Sequence, residues 1–341
     1  MSRISTGAMD SREAGVNGAS LRGRSPLLRL AAGRLATGLT TIWLASVLIF
    51  AGTELLPGDA ATAILGRNAT PSAVAELRRQ LGLEHSALHR YWDWFTSLLQ
   101  GDLGRSLLGN ETVWGIIGHR IVNSLALAAA TLLILVPLSL ALGTFAATHR
   151  YRTSDHALQN FTLVLNSLPE FVTGTLLALV FGITWAILPP VSLFDPTDYG
   201  WQHPKDLVLP LATLVAAALA PTARMVRGSV IEVLDRQYVQ MARLKGLSNR
   251  EVLRRHVLPN ALVPTVQVIA LSIGWMMGGI VVVEFVFQYP GMGQALVSAV
   301  SERDVPTVQA LGVIIAAVYV LVNLAADVVT ILLTPKLRTV L

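Results

Sequence analysis

Residues 238–264 read YVQMARLKGLSNREVLRRHVLPNALVP. Two helix signals meet in this stretch, with a glycine between them. Val230, Val233, Leu234, Met241 and Leu244 recur at helical spacing and line one face. Gly246 suits the left-handed position that closes a helix. Ser248-Asn249-Arg250-Glu251 then has the form of a capping box, serine at the N-cap and glutamate three residues on. A second short helix follows toward Leu258-Pro259, where proline is expected to stop it. The pattern predicts two ordered helices on a basic, water-exposed segment. One of them carries an apolar face that requires a partner or the rest of the protein.

The sequence on either side is of another kind. Hydrophobic residues make up 53% of the chain and charged residues only 14%, where a soluble domain carries about a quarter. One aqueous core could not hide that much apolar side chain, but a bilayer can. A membrane helix needs about 20 mostly apolar residues. Six stretches qualify: 35–56, 121–148, 158–188, 207–223, 262–287 and 305–334. The predicted class is an all-α, six-span membrane protein.

Lys and Arg in the flanks set the orientation. With the N-terminus inside, 18 of the 26 basic residues fall on the inner side. Both termini are therefore expected in the cytoplasm, and residues 224–260 form an inner loop. Residues 1–26, rich in Ser, Gly, Arg and Ala, read as a disordered cytoplasmic tail with no apolar stretch of a secretory signal. Residues 27–56 hold the first span, 57–120 an extracytoplasmic helical region, and 121–341 a five-span core. In the outer region Thr70-Pro71 signals a helix start, Gly82 a helix end, and Ser86 a second cap ahead of Tyr91, Trp92, Trp94 and Phe95. This region is either a packed cap over the helix ends or a docking surface.

Most chemistry is excluded. There are no cysteines, hence no disulfide framework, Cys-ligated zinc or thiol catalysis. A P-loop needs Gly-Lys-Ser/Thr to cradle phosphate. The lysines Lys205, Lys245 and Lys336 follow Pro204, Leu244 and Pro335. Any ATP that drives this protein binds another chain. His85 and His89 have the spacing of a zinc pair but lack the intervening Glu of His-Glu-x-x-His, so surface histidines account for them as well. The basic residues lie between apolar spans rather than in a patch for nucleic acid.

Acids in or near the spans are Glu54, Glu170, Glu284 and Asp327. A charge at bilayer depth costs about 2.5–3.5 kcal/mol on insertion scales. Glu170 follows Pro169, and Asn166 lies one turn earlier. These residues, with Asp327, are candidates for the translocation pathway or for an ion site. An interfacial break in the helix is the alternative for Glu170.

The inner loop resembles the EAA motif of ABC-importer permeases: Glu-Ala-Ala, three residues, Gly, nine residues, Ile, one residue, Leu-Pro. Gln240-Met241-Ala242 is followed after three residues by Gly246, and nine more lead to His256, Val257, Leu258 and Pro259. The spacing is complete, while Gln240, Met241 and His256 depart in type. A closer resemblance is to the B-type permeases of dipeptide/oligopeptide importers. It rests on Tyr238, Arg243, Lys245 and Asn260-Ala261 in the loop, Leu56-Pro57-Gly58-Asp59 and Gly101-Asp102-Leu103-Gly104 before it, and Pro290-Gly291-Met292-Gly293 and Arg303-Asp304 after it.

The resemblance implies a type I ABC importer permease fold in a bacterial inner membrane. It implies a second homologous permease, two ATPase subunits that bind ATP and Mg, and an extracytoplasmic solute-binding protein. Tyr238, Gln240, Met241, Ala242, Arg243, Lys245, Gly246, Leu258 and Pro259 would form the ATPase-coupling loop. The implied cargo is a di- or oligopeptide, with glutathione or a nickel–metallophore complex as alternatives. An ion-coupled secondary transporter using the intramembrane acids is the competing class.

Overall fold

The computed structural model describes residues 25–55, 70–80, 85–109 and 111–333. The expected disordered tail, the Pro57-Gly58-Asp59 segment, the Gly82 helix end and Lys336 lie outside these residues. Helices follow in order: α1 Ser25–Glu54, α2 Pro71–Gln80, α3 Ala87–Leu99, α4 Val113–Thr148, α5 Thr153–Ser167, α6 Glu170–Leu177, α7 Pro204–Leu234, α8 Gln237–Leu244, α9 Asn249–Val252, α10 Leu258–Val286, α11 Met292–Glu302 and α12 Val305–Leu333. Among the described residues there is no strand, only a single bridge between Arg105 and Thr112.

Gly33–Glu54, Val113–Thr148, Pro204–Leu234 and Val305–Val328 are long and apolar enough to cross a membrane. The expected continuous span over 158–188 is instead a bent pair. α5 ends at Ser167, α6 starts at Glu170, and the two differ in direction by 103°. The cause is Pro169, which has no N–H for the helical ladder and pushes Leu168 to extended backbone (φ −93°, ψ 129°). Beyond α6 the chain widens into a π segment, Ala178–Thr184. The stretch 262–287 lies within α10 up to Val286, with Phe287 as its C-cap, and Ser272–Val286 is apolar.

Cross-contacts order the bundle. Leu127 clusters with Leu209, Leu135 with Leu219, and Ala147 with Val226, so α4 and α7 run parallel. Gln309 Nε2 donates to Thr53 Oγ1 at 2.8 Å, and Arg34 pairs with Asp327 at 2.9 Å, so α1 and α12 run antiparallel. The start of α1, the end of α12 and residues 235–257 therefore share one end of the bundle, the loop end. The other is the cap end.

α3 belongs to the cap end. Thr70 and Ser86 are N-caps, their hydroxyls accepting from Ala73 N at 3.3 Å and His89 N at 3.4 Å. Tyr91 is buried against Phe50, with its hydroxyl 3.0 Å from Ser46 Oγ, and Arg90 pairs with Glu54. α4 starts eight residues earlier than its apolar run, because Thr112 caps it by accepting from Gly115 N at 3.3 Å.

Three buried polar groups tie the cap end together. Asn123 donates to Asp198 O and Pro290 O, each at 3.1 Å, and accepts from Gly200 N at 2.9 Å. Asp304 accepts from Ser106 Oγ at 2.6 Å, Leu107 N at 3.0 Å and Thr307 Oγ1. Glu284 accepts from Ser124 Oγ, and from Gly293 N at 2.6 Å, and so serves as a remote cap for α11. A Cβ on Gly291 would overlap the Glu284 carboxyl, which is why glycine precedes Met292.

Candidate functional site

The loop end carries the first candidate site. The expectation of one helix running through Arg224 to Gly246 is corrected: α7 continues to Leu234, and α8 begins anew at Gln237. No glycine or proline marks this break. Asp235 is held by Arg150, whose Nη1 donates to Oδ2 at 2.9 Å, and Val239 turns into the core. The hydrogen-bonded Asp235 carboxylate holds the Arg150 guanidinium above its ordinary pKa. About two turns deeper along α7, Arg227 clasps buried Asp155 through Nε at 2.8 Å and Nη2 at 2.6 Å, fixing α5 to α7.

The inward face of α8 also differs from the expected one. Val239 and Ala242 are buried with Val226, Val230, Val252 and Val257. Tyr238, Met241 and Leu244 point outward, at 44%, 60% and 81% exposure. Val230 and Met241 thus belong to opposite surfaces, because the break at Asp235–Arg236 resets the helical phase. Gln240, Arg243 and Lys245 are exposed around that apolar row.

Gly246 ends α8 as expected, at φ +84°. Gly246 N donates to Arg243 O at 2.9 Å, and Leu247 N reaches back to Ala242 O at 3.3 Å. This pair of bonds is a Schellman motif, and half-buried Leu247 packs on the cluster beneath. Ser248 Oγ accepts from Glu251 N at 3.3 Å, as the capping box predicts, while the Glu251 side chain pairs with Arg255 at 2.8 Å.

Pro259 does not stop the second helix. α9 passes through a π segment, Leu253–Val257, into α10, which holds Leu258, half-buried, and Pro259, exposed. Leu258 N donates to Leu253 O, five residues back. The wider turn makes room for the proline ring, and Pro259 has no N–H to place. The loop is therefore continuous with a long apolar helix, and a push on α8 has a mechanical route into α10.

The second candidate site lies at the bend between α5 and α6. Asn166 and Glu170 line a cavity of about 640 Å³ with Leu214, Arg224, Ser272 and Trp275. Trp275 is 85% exposed. Asp327 is not part of it: this carboxylate faces Arg34 across α1 and α12. Arg224 was legible only as a loop charge, because only the packing of α5 and α6 on α7 brings it to the same cavity as Glu170. The rings of His85 and His89 lie 5.1 Å apart, tilted at 54°, and His89 pairs with Asp93 at 3.2 Å. No group of three His, Asp or Glu among the described residues is placed to hold a metal.

With this geometry in place, comparison with known proteins is direct. Residues 139–339 match the family model "Binding-protein-dependent transport system inner membrane component", and residues 27–128 match the model of its N-terminal part. The "Glutathione transport system permease protein GsiC" of Escherichia coli is 35% identical over 305 residues, 89% of this chain and 97% of that protein. The proteins of the same name from Shigella flexneri and Salmonella choleraesuis match to the same extent. A crystal structure of an amino acid ABC transporter with histidines overlaps 62% of this chain and 90% of its own, at TM-score 0.45 and 16% identity. The family models over residues 27–128 and 139–339 set aside the ion-coupled carrier, the competing class.

Proposed function

Because the chain belongs to the family of binding-protein-dependent transport inner membrane components, we propose that it forms part of the translocation pathway of an ATP-driven importer of small peptides. Its partners in this proposal are a second permease, two ATPases that bind ATP and Mg, and a solute-binding protein outside. The chain itself is a permease subunit without a Walker motif, and hydrolysis belongs to separate subunits.

One observation carries the proposal: a short helix, closed at its C-terminal end by the Gly246 turn, displays Tyr238, Met241 and Leu244 to solvent at the loop end. An apolar row on a rigid helix fits a groove in another protein. ATPase closure would displace α8, and the π-linked α9–α10 unit would carry the displacement to the walls of the cavity. The positive-inside bias, and the end of the bundle that the start of α1 and the end of α12 share with the loop, support a cytoplasmic loop end.

For the cargo, peptide is favoured, and the name of the glutathione permeases supports a small peptide of that kind. A nickel–metallophore cargo has no feature of this chain in its favour. The reconstituted assembly tests the coupling role. Proline cannot adopt φ +84°, so Gly246→Pro should abolish ATP-driven uptake while ATP hydrolysis continues. Normal uptake in that variant refutes it. Titrating the companion binding protein with dipeptides, glutathione and nickel chelates tests the cargo.

A further inference from the structure

We propose that the cavity at the α5–α6 bend is a ligand site inside the permease for a small zwitterion, its ammonium held by Glu170 and its carboxylate by Arg224. The proposal rests on the importer function above and adds where in this chain the cargo pauses and which of its groups are read.

Charge pairing singles the site out. Four other acids in and beside the spans have partners: Glu54 with Arg90, Asp155 with Arg227, Asp327 with Arg34, and Glu284 with the neutral donors Ser124 Oγ and Gly293 N. Among the described residues, no hydrogen bond or ion pair uses the Glu170 carboxylate. Among the described residues Arg224 bonds only through Nε, to Ala220 O at 3.3 Å, and its terminal nitrogens have no partner there. Two opposite charges therefore face one cavity, each without a counter-charge. An intramembrane charge is retained where a partner or a water-filled path compensates it. A ligand bearing both signs compensates the two at once.

The spacing gives a length. Glu170 lies against Gly279. Seven residues before Gly279 on α10, Ser272 meets Thr222 of α7, Oγ to Oγ1, at 3.3 Å. The Arg224 guanidinium reaches back one turn to Ala220, two residues nearer to the level of Glu170 than Thr222. At 1.5 Å rise per residue the two charges are stepped by about 8 Å along the bundle. An extended backbone spans about 3.4 Å per residue, so a di- or tripeptide with free ends fits that step. Trp275 and Leu214 supply apolar wall for the side chains between. Asn166 adds an amide for the peptide groups.

The assembly of this chain with its partner permease and ATPases, in nanodiscs without binding protein, is titrated with labelled trialanine, N-acetyl-trialanine and trialanine amide. The expected result is saturable binding of trialanine, weakened at least ten-fold by either blocking group. Glu170→Gln should remove the penalty of acetylation alone, and Arg224→Gln that of amidation alone. Because the contrast among ligands is read on the unaltered protein, it stands even where a variant fails to assemble. Equal binding of the three ligands overturns the proposal. So does the absence of saturable binding, the outcome if the second permease supplies the counter-charges. Either result leaves the importer function intact if binding protein and ATP still drive peptide uptake. Failure of that uptake overturns the importer function itself.

Discussion

The cap end and the loop end of this bundle are finished in opposite ways. At the cap end, three buried polar groups have partners within the chain: Asn123 with three backbone groups, Asp304 with Ser106, Leu107 and Thr307, Glu284 with Ser124 and the start of α11. At the loop end the inward face of α8 is packed, but its outer row, Tyr238, Met241 and Leu244, is left to solvent. A closed polar network stabilises and fixes one geometry. An open apolar row on a rigid support awaits another surface. Damage at the cap end should therefore act on stability, and damage at the outer face of α8 on association.

The largest effect is expected at Glu284. Glu284→Ala leaves buried donors on Ser124 and Gly293 without their acceptor, at about 1–3 kcal/mol each. A loss of about 3 kcal/mol should appear as a marked drop in melting temperature of the purified chain. An unchanged melt would show that water replaces the carboxylate and that the cap end is less closed than described. Next, Met241→Asp with Leu244→Asp should weaken ATPase association at least ten-fold, about 1.4 kcal/mol, with melting unchanged. Equal loss of melting and association would erase the distinction between the two ends.

Gly246→Ala sharpens the comparison. A Cβ there meets nothing within 4 Å, so the cost is backbone strain alone, about 1–2 kcal/mol for a left-handed residue. Uptake should fall several-fold while α8 remains docked, as read by cross-linking to an ATPase. The smallest effect belongs to Arg34→Ala. Its ion pair with Asp327 is largely exposed and should contribute at most about 1 kcal/mol to melting. A larger loss would assign Asp327 a role that its geometry does not suggest.

Where sequence and structure part, the cause is tertiary packing. The Schellman glycine, the Thr70, Ser86 and Ser248 caps and the apolar stretches were legible because each depends on neighbours in sequence. The break at Asp235 was not, because it is set by Arg150, 85 residues away. The outward face of α8 was misjudged for that reason: extending the phase of Val230 across the break places Met241 and Leu244 inside, whereas Val239 and Ala242 are the residues that pack. Pro259 has the local form of a stop, and a π turn absorbs it instead.

By itself, then, the sequence determined the membrane class, the apolar stretches, the absence of a Walker motif, and the spacing that ties residues 238–264 to a family of transport components. These follow from composition and from interactions a few residues long. The tertiary structure alone decided that α5 and α6 diverge by 103° and which residues of α8 meet solvent. It also decided that Glu170 and Arg224 share a cavity while Asp327 does not. Those outcomes depend on which distant charge or side chain reaches a position first. Long-range pairing of that kind is set when helices pack, and no local pattern encodes it.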